Sequence, residues 1–302
     1  MRVVDSFYIK GEIMDYIIKS LVLNETARVY ILRTTDIVNE AIERHDLWPS
    51  AASVLGKAMT IGLMMGGMLK GEQAVTIKIE GGGPIGQVVV DANAKMDVRG
   101  YVNFPHVTLS NNNNTLAEVQ TLGTEGYIDV IKDLKMNDLF TSSIDIMSGD
   151  LAKDFTYYFA SSEQTPSAIS LGSKFGVDNR CIICGGIIIQ LLPNATEETI
   201  INIEKQLPKL NEFSKLLLEN EELENILKYL FDDNYRVLEK SDVRFKCDCS
   251  REKFMGGLVS LGPKELQEMI DEGKDVETVC HYCSNKYIFT KDELSDLIKE
   301  IN

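Results

Sequence analysis

Apolar and polar positions change their period along this chain. Residues 27–32 form a short β-branched run closed by Arg33 and two threonines, and residues 74–79 alternate one by one, as a half-buried strand does. Three glycines and Pro84 separate the latter from residues 87–91, which predicts a hairpin, and residues 97–102 extend it into a meander. Residues 127–132 and 187–192 predict further strands, the second buried and ended by Pro193. Residues 150–160 read as a helix, and residues 166–171 as the start of another element. From Val54 to Leu69 the chain is apolar on most helical faces, apart from Lys57, which predicts a buried helix capped by Ser50. Asn111 to Asn114 predict a polar loop tip.

After Pro193 the period becomes helical. Ile200, Ile203, Leu207, Leu210, Phe213 and Leu217 recur at steps of three and four, and Leu223, Ile226, Leu227 and Leu230 repeat the pattern. Pro208 is expected to kink or split the first helix. Residues 194–242 carry 12 Asp/Glu against 6 Lys/Arg and no glycine, so the other face is solvated and the apolar stripe must rest on something. Beyond residue 240, Gly262-Pro263 opens a short helix that Gly273 ends, and Thr290 with Glu293 makes a capping box for a last one. The expected architecture is α+β: a mixed α/β core over 1–192, a helical linker arm over 193–240, and a small C-terminal domain over 241–302.

A formal net charge of -15 disfavours phosphate backbones and anionic lipid as main partners. The apolar run at 54–69 falls short of the ~20 residues of a membrane span, and its Gly62 and Gly66 suggest close helix packing in a soluble chain. Residues 1–6 lack the basic and apolar regions of an export signal, which places the protein in the cytoplasm and makes its six cysteines thiols or metal ligands rather than a disulfide framework.

Four of those cysteines form two close pairs, Cys247-x-Cys249 and Cys280-x-x-Cys283, thirty residues apart. Brought together by an intervening helix, they supply the four thiolates of a tetrahedral structural zinc site, with no open position for a substrate. His281 is a competing ligand, though four thiolates already satisfy the metal. A domain of about 60 residues has little core, so bound metal supplies much of its folding free energy. Oxidation of either cysteine pair removes ligands and undoes that support.

The chain resembles the redox-regulated 33 kDa heat-shock chaperones, also called 33 kDa chaperonins. The resemblance rests on Glu80-Gly-Gly-Gly-Pro-Ile-Gly86, Val88-Val-Val-Asp-Ala-Asn93, Arg99-Gly-Tyr-Val102, Tyr157-Tyr-Phe-Ala160, Ser162-Glu-Gln-Thr-Pro-Ser-Ala168, Gly185-Gly-Ile-Ile-Ile-Gln-Leu-Leu-Pro193 and the two cysteine pairs. It implies a holdase, not an enzyme, that is inactive when reduced and carries one zinc ion per chain on Cys247, Cys249, Cys280 and Cys283. Under oxidative stress it implies disulfides Cys247–Cys249 and Cys280–Cys283, zinc release, unfolding of the switch and arm, and dimers that hold unfolding clients until ATP-dependent chaperones take over.

Other signals are weaker. Gly81-x-Gly83-x-x-Gly86 matches a dinucleotide fingerprint, but a strand follows instead of a helix, so it reads as a turn. Met59, Met64, Met65 and Met68 are core or an adaptable client surface. Arg244, Lys246, Arg251 and Lys253 form a small basic cluster that would suit a zinc-ribbon nucleic-acid regulator, the alternative function, although no aromatics are interleaved. Cys181-Ile-Ile-Cys184 departs from the family pattern; with Cys280–Cys283 it raises a second alternative, a thiol-disulfide oxidoreductase. In an extended strand its two sulfurs point to opposite faces and cannot meet; in a turn they form a second redox centre.

Overall fold

A computed structural model describes residues 14–111 and 115–301. Residues 1–6, which lack the regions of an export signal, and residues 112–114 of the asparagine run lie outside the described residues. One unit runs to Phe245 and a second begins at Lys246.

In the first unit, β1 (Tyr16–Val22) and β2 (Ala27–Arg33) pair as a hairpin, followed by α1 (Thr35–His45). The first amides of α1 are satisfied by Asp15, whose Oδ1 accepts from Thr35 N at 2.8 Å and whose Oδ2 accepts from Ile37 N at 2.9 Å. α2 (Pro49–Gly66) begins with proline in its first turn, where a missing amide costs nothing. Its N-cap is Trp48, without a side-chain bond; Ser50 lies inside the helix and donates to Leu109 O, so the cap expected of Ser50 is not formed.

β3 (Ala74–Glu80), β4 (Gln87–Asn93), β5 (Asp97–Val102), β6 (Tyr127–Asp133) and β7 (Phe140–Asp145) make an antiparallel sheet in the order β5-β4-β3-β6-β7. The 81–86 turn between β3 and β4 packs on α3 (Glu118–Leu122) so closely that a Cβ on Gly83 would lie 2.4 Å from Thr121 O. Its glycines serve backbone approach, with strand β4 following directly. α4 (Leu151–Ser161) is capped by Asp150, which accepts from Ala152 N and Lys153 N. β8 (Ser167–Phe175) and β9 (Cys181–Leu191) complete a second sheet, β1-β2-β9-β8.

α2 is packed against both sheets and is buried almost throughout, Met59, Met64 and Met65 included, so these methionines are core. Gly62 and Gly66 admit β4 rather than another helix. An added Cβ would lie 2.8 Å from Val90 Cγ1 at the first and 2.7 Å from Asn93 O at the second. Lys57 is matched by Glu118 at 2.5 Å.

The opposite face of the β1-β2-β9-β8 sheet carries the arm. α5 (Glu197–Glu204), α6 (Leu207–Leu210), α7 (Phe213–Glu219) and α8 (Leu223–Phe231) are short, and Pro208 sits in the first turn of α6, where the predicted split occurs. Ile203, Leu210, Phe213, Leu217, Leu223, Ile226, Leu227 and Leu230 pack on Ile18, Val29, Ile31, Ile183, Ile187 and Ile189. Ile200 and Leu207 are exposed, and Leu216 joins the buried set. Each fully buried aliphatic or aromatic side chain stabilises this interface by roughly 1.5–3 kcal/mol.

Polar groups of the core hold the ends of the arm helices. The buried Arg33 guanidinium donates through Nη2 to the carbonyls of Leu217, Asn220 and Glu221, at 3.2, 2.8 and 3.3 Å, at the end of α7. Tyr16 Oη accepts from Leu223 N at 2.7 Å and donates to Glu224 at 3.0 Å, and Ser170 Oγ donates to Leu210 O at 2.6 Å.

The arm does not remain helical to residue 240. β10 (Tyr235–Asp242) pairs antiparallel with β1 as the outermost strand of one sheet. β11 (Arg244–Phe245) pairs parallel with β5 of the other, where Arg244 meets the buried Asp97 at 2.5 Å. Tyr-Arg-Val-Leu at the start of β10 is rich in strand formers, and its pairing with β1 overrides the helical register read from the residues before it.

Replacing Arg33 by Ala leaves three carbonyls at the end of α7 without their donor. The expected loss is about 1–3 kcal/mol of stability with faster amide exchange over residues 213–231, and unchanged exchange there would contradict a clamp. Asp15 gives a pH dependence. Burial pushes its carboxyl up to about 7 from 3.8, against the two amides that bond it and with Asp36 adding to the rise. The folded chain therefore binds this proton more tightly than the unfolded chain. The contribution is fully present below about 3.8 and is lost as pH rises through 7. Between pH 5 and 8 the urea midpoint of the unsubstituted protein should fall relative to that of Asp15→Asn; parallel curves would remove Asp15 as the cause.

Candidate metal centre

In the second unit, α9 (Arg251–Leu261), α10 (Pro263–Asp271), the hairpin β12 (Val276–Val279) and β13 (Lys286–Phe289), and α11 (Lys291–Ile301) enclose a small core of Leu258, Leu266, Phe289, Leu294 and Leu297. Thr290 and Glu293 form the predicted capping box, with Thr290 N donating to Glu293 Oε2 at 2.9 Å and Glu293 N donating to Thr290 Oγ1 at 3.4 Å. Gly273 takes a left-handed φ of 82° just past α10.

Two local structures carry the cysteines. Cys280 and Cys283 lie in the loop of the hairpin, where Cys280 N donates to Asn285 O at 2.9 Å and Ser284 N donates to Cys280 O at 2.8 Å. Cys247 and Cys249 precede Ser250, the N-cap of α9, whose hydroxyl accepts from Lys253 N. Arg251 ties this segment to the hairpin: it donates to Ile288 O and to both carboxylate oxygens of Glu293, and stands 4.3 Å over the Phe289 ring.

The result is a closed group of four sulfurs, all within 4.8 Å of one another. Cys247 and Cys280 are 3.7 Å apart and Cys249 and Cys283 are 3.3 Å apart, distances at which all four are free thiols. A zinc–sulfur bond of ~2.3 Å sets tetrahedral sulfur–sulfur edges near ~3.8 Å, so the group has the size and the soft donors for such an ion. Cys280 and Cys283 are buried, and Cys247 and Cys249 are half-buried. His281 is exposed and outside the group.

Tyr287 completes the surroundings. Its hydroxyl lies 3.2 Å from Cys249 Sγ, and Asn285 Nδ2 points to the same sulfur at 3.9 Å. Burial pushes the Cys249 thiol up, but hydrogen bonds from Tyr287 and the three other cysteines outweigh it and hold it down at about 7. Cys283 and Cys280 are pushed up, first by burial. One sulfur thus concentrates the anionic character that a cation would meet. Tyr287 escaped the sequence reading because an aromatic in a hairpin reads as core, and Arg251, read there as part of a basic cluster, instead ties the cysteine segment to the hairpin.

The basic cluster is largely neutralised. Arg244 faces Asp97, Lys246 faces Asp248 and Arg251 faces Glu293, while Lys253 donates to Asp248 O. Among the described residues, no helix is long and apolar enough to cross a membrane.

The chain matches the family model described as Hsp33 protein over residues 15–290. It is 48% identical to a 33 kDa chaperonin of Bacillus velezensis over 95% of this chain and 99% of that one. To a 33 kDa chaperonin of Bacillus subtilis it is 46% identical over 94% of this chain and 98% of that one. The crystal structure of a 33 kDa chaperonin, a heat shock protein 33 homolog of Thermotoga maritima, superposes with a TM-score of 0.89 at 34% identity, covering 96% of this chain and 99% of that one.

Tyr287→Phe keeps the ring that packs 5.0 Å from Phe254 and deletes the bond to Cys249. Zinc affinity measured against a chromophoric chelator should drop about tenfold, and an unchanged affinity would show that the hydroxyl does not act on the sulfurs.

Proposed function

The chain belongs to the Hsp33 family, and from that premise we propose that it is a cytoplasmic, redox-switched holdase rather than an enzyme. Cys247, Cys249, Cys280 and Cys283 hold one zinc ion per chain in the reduced, inactive state. The observation that carries the reading is the convergence of these four thiols in a unit whose own apolar core is small.

Bound there, zinc would supply a fixed tetrahedral joint between the segment leading into α9 and the β12–β13 loop, with an affinity on the order of 10 kcal/mol at neutral pH. The remaining steps belong to the chain. Peroxide takes two electrons from each cysteine pair and is reduced to water, and disulfides Cys247–Cys249 and Cys280–Cys283 form. No thiolates then remain to join the two segments, and residues 241–302 lose their fold. Cys247 follows β11 by a single residue, so the loss adjoins the strands that fasten the arm to both sheets. Once the arm of residues 193–240 leaves, the apolar face of β1, β2 and β9 is exposed to unfolding polypeptides. The core of residues 1–192 binds these clients and dimerises, and ATP-dependent chaperones receive them afterwards. The net charge of -15 keeps such a surface soluble.

Reduced protein should bind one zinc per chain and leave aggregation of a thermally unfolding client unaffected. Peroxide at elevated temperature should release the zinc, consume the four thiols and suppress that aggregation. A reduced, zinc-loaded preparation as effective as the oxidised one would defeat the proposal.

A further inference from the structure

Cys181 and Cys184 lie outside the four-sulfur group, and the backbone brings them together by a route the sequence pattern hides. Along the β8–β9 pairing, Phe175 stands opposite Cys181 while Lys174 stands opposite Ile183, so Ile182 is an extra residue without a partner. An inserted residue shifts the alternation of the strand by one. Cys181 and Cys184, which an unbroken strand would place on opposite faces, therefore share one face, as do Phe175 and Ser173 across from them. Ile182 is turned out to solvent, 48% exposed, while Cys181 and Cys184 are buried.

The shared face is the one away from the arm. Ile183 and Ile187 point into the arm cluster, whereas the Cys184 sulfur lies 3.9 Å from Thr60 Oγ1 of α2 and 3.5 Å from where a Cβ on Gly56 would stand. Both backbones are pinned. Asn39 accepts from Cys181 N at 3.0 Å and donates to Cys181 O at 2.9 Å; Thr35 Oγ1 accepts from Cys184 N at 3.1 Å, and Thr34 N donates to Cys184 O at 2.8 Å. Each thiol shifts the other, Cys181 pushed up and Cys184 held down.

We propose that Cys181 and Cys184 are a second oxidisable dithiol, chemically independent of the four-sulfur group, that closes to an intrastrand disulfide under hydrogen peroxide. The Cys184 sulfur, as thiolate, attacks one peroxide oxygen; the O–O bond breaks, a sulfenic acid forms, and the departing hydroxide takes a proton to become water. The Cys181 sulfur then attacks the Cys184 sulfur. An S–S bond forms as the S–O bond breaks, and the second hydroxide leaves with the Cys181 proton as another water. Two thiols lose two electrons and one peroxide gains them. The direction of attack follows from the surroundings of each sulfur: the neighbouring Cys181 and Thr60 Oγ1, 3.9 Å away, hold Cys184 down against burial, while Cys184 and burial push Cys181 up. The bridge would fix the bulge of β9 on its α2 side while leaving the arm side unchanged.

Cleavage after Arg180 and Lys205 releases both cysteines in one peptide. Full-length, reduced, zinc-loaded protein is treated with graded hydrogen peroxide, quenched in acid, alkylated and digested without reduction, and the peptides are weighed. The expected product is the 181–205 peptide lighter by two hydrogens and unalkylated, returning to two alkylatable thiols after a reductant. The same peptide should appear when Cys247, Cys249, Cys280 and Cys283 are all replaced by Ser. A 181–205 peptide that stays doubly alkylated at doses that fully convert Cys280 and Cys283, or that gains oxygen on one cysteine with the other still free, overturns the proposal. The Cys280–Cys283 peptide in the same digest reports separately on the switch.

Discussion

One sheet in this protein is apolar on both faces, and most of the architecture answers that fact. The strands β2 and β9 bury one side under α2 and the other under the arm. The first cover is close to permanent: α2 lies against both sheets, with Gly62 and Gly66 admitting β4 to within contact of its backbone. The second cover is assembled from four short helices, each too short to persist alone in water. Such helices exist only while they stay docked. Removing the arm therefore melts it as well as uncovering the sheet, and the two events form one cooperative step.

The second unit is built on a different principle. Its five buried apolar residues are few for a fold of three helices and a hairpin, and the four cysteines occupy the place where further core would otherwise be needed. Arg251, reaching from the start of α9 to Ile288 O, Glu293 and the Phe289 ring, joins the same two segments that the sulfurs join. Polar contacts and clustered thiols thus stand where hydrophobic contacts stand elsewhere in the chain, and thiols respond to oxidants in a way that buried leucines do not.

Much of this was legible beforehand, and the exceptions have physical reasons. The strands at 74–80, 87–93 and 97–102, the capping box at Thr290 and the gathering of four cysteines each follow from a local rule of period or spacing. Most of the departures involve a partner distant in sequence. Ser50 looked like a cap, but α2 starts on Pro49 and the hydroxyl serves Leu109 O. Residues 235–240 looked like more helix because their strand partner, β1, lies some two hundred residues earlier. For Cys181 and Cys184 the sequence leaves an extended and a turn reading open, because strand alternation is counted residue by residue and a single bulge changes the count. Tyr287 could not be assigned to the centre without knowing that β13 returns beside Cys249.

The placement of β10 has a further consequence. While it is docked, it occupies the hydrogen-bonding edge of β1 with its own backbone, from Tyr16 opposite Asp242 to Val22 opposite Tyr235. A chain that sheds the arm with this strand bares a row of amides and carbonyls as well as a greasy surface. Open edges accept any extended polypeptide, because backbone groups are the same in every residue. Backbone recognition of that kind would let one protein hold clients that share no motif, and it would equally let two identical copies close each other's edges.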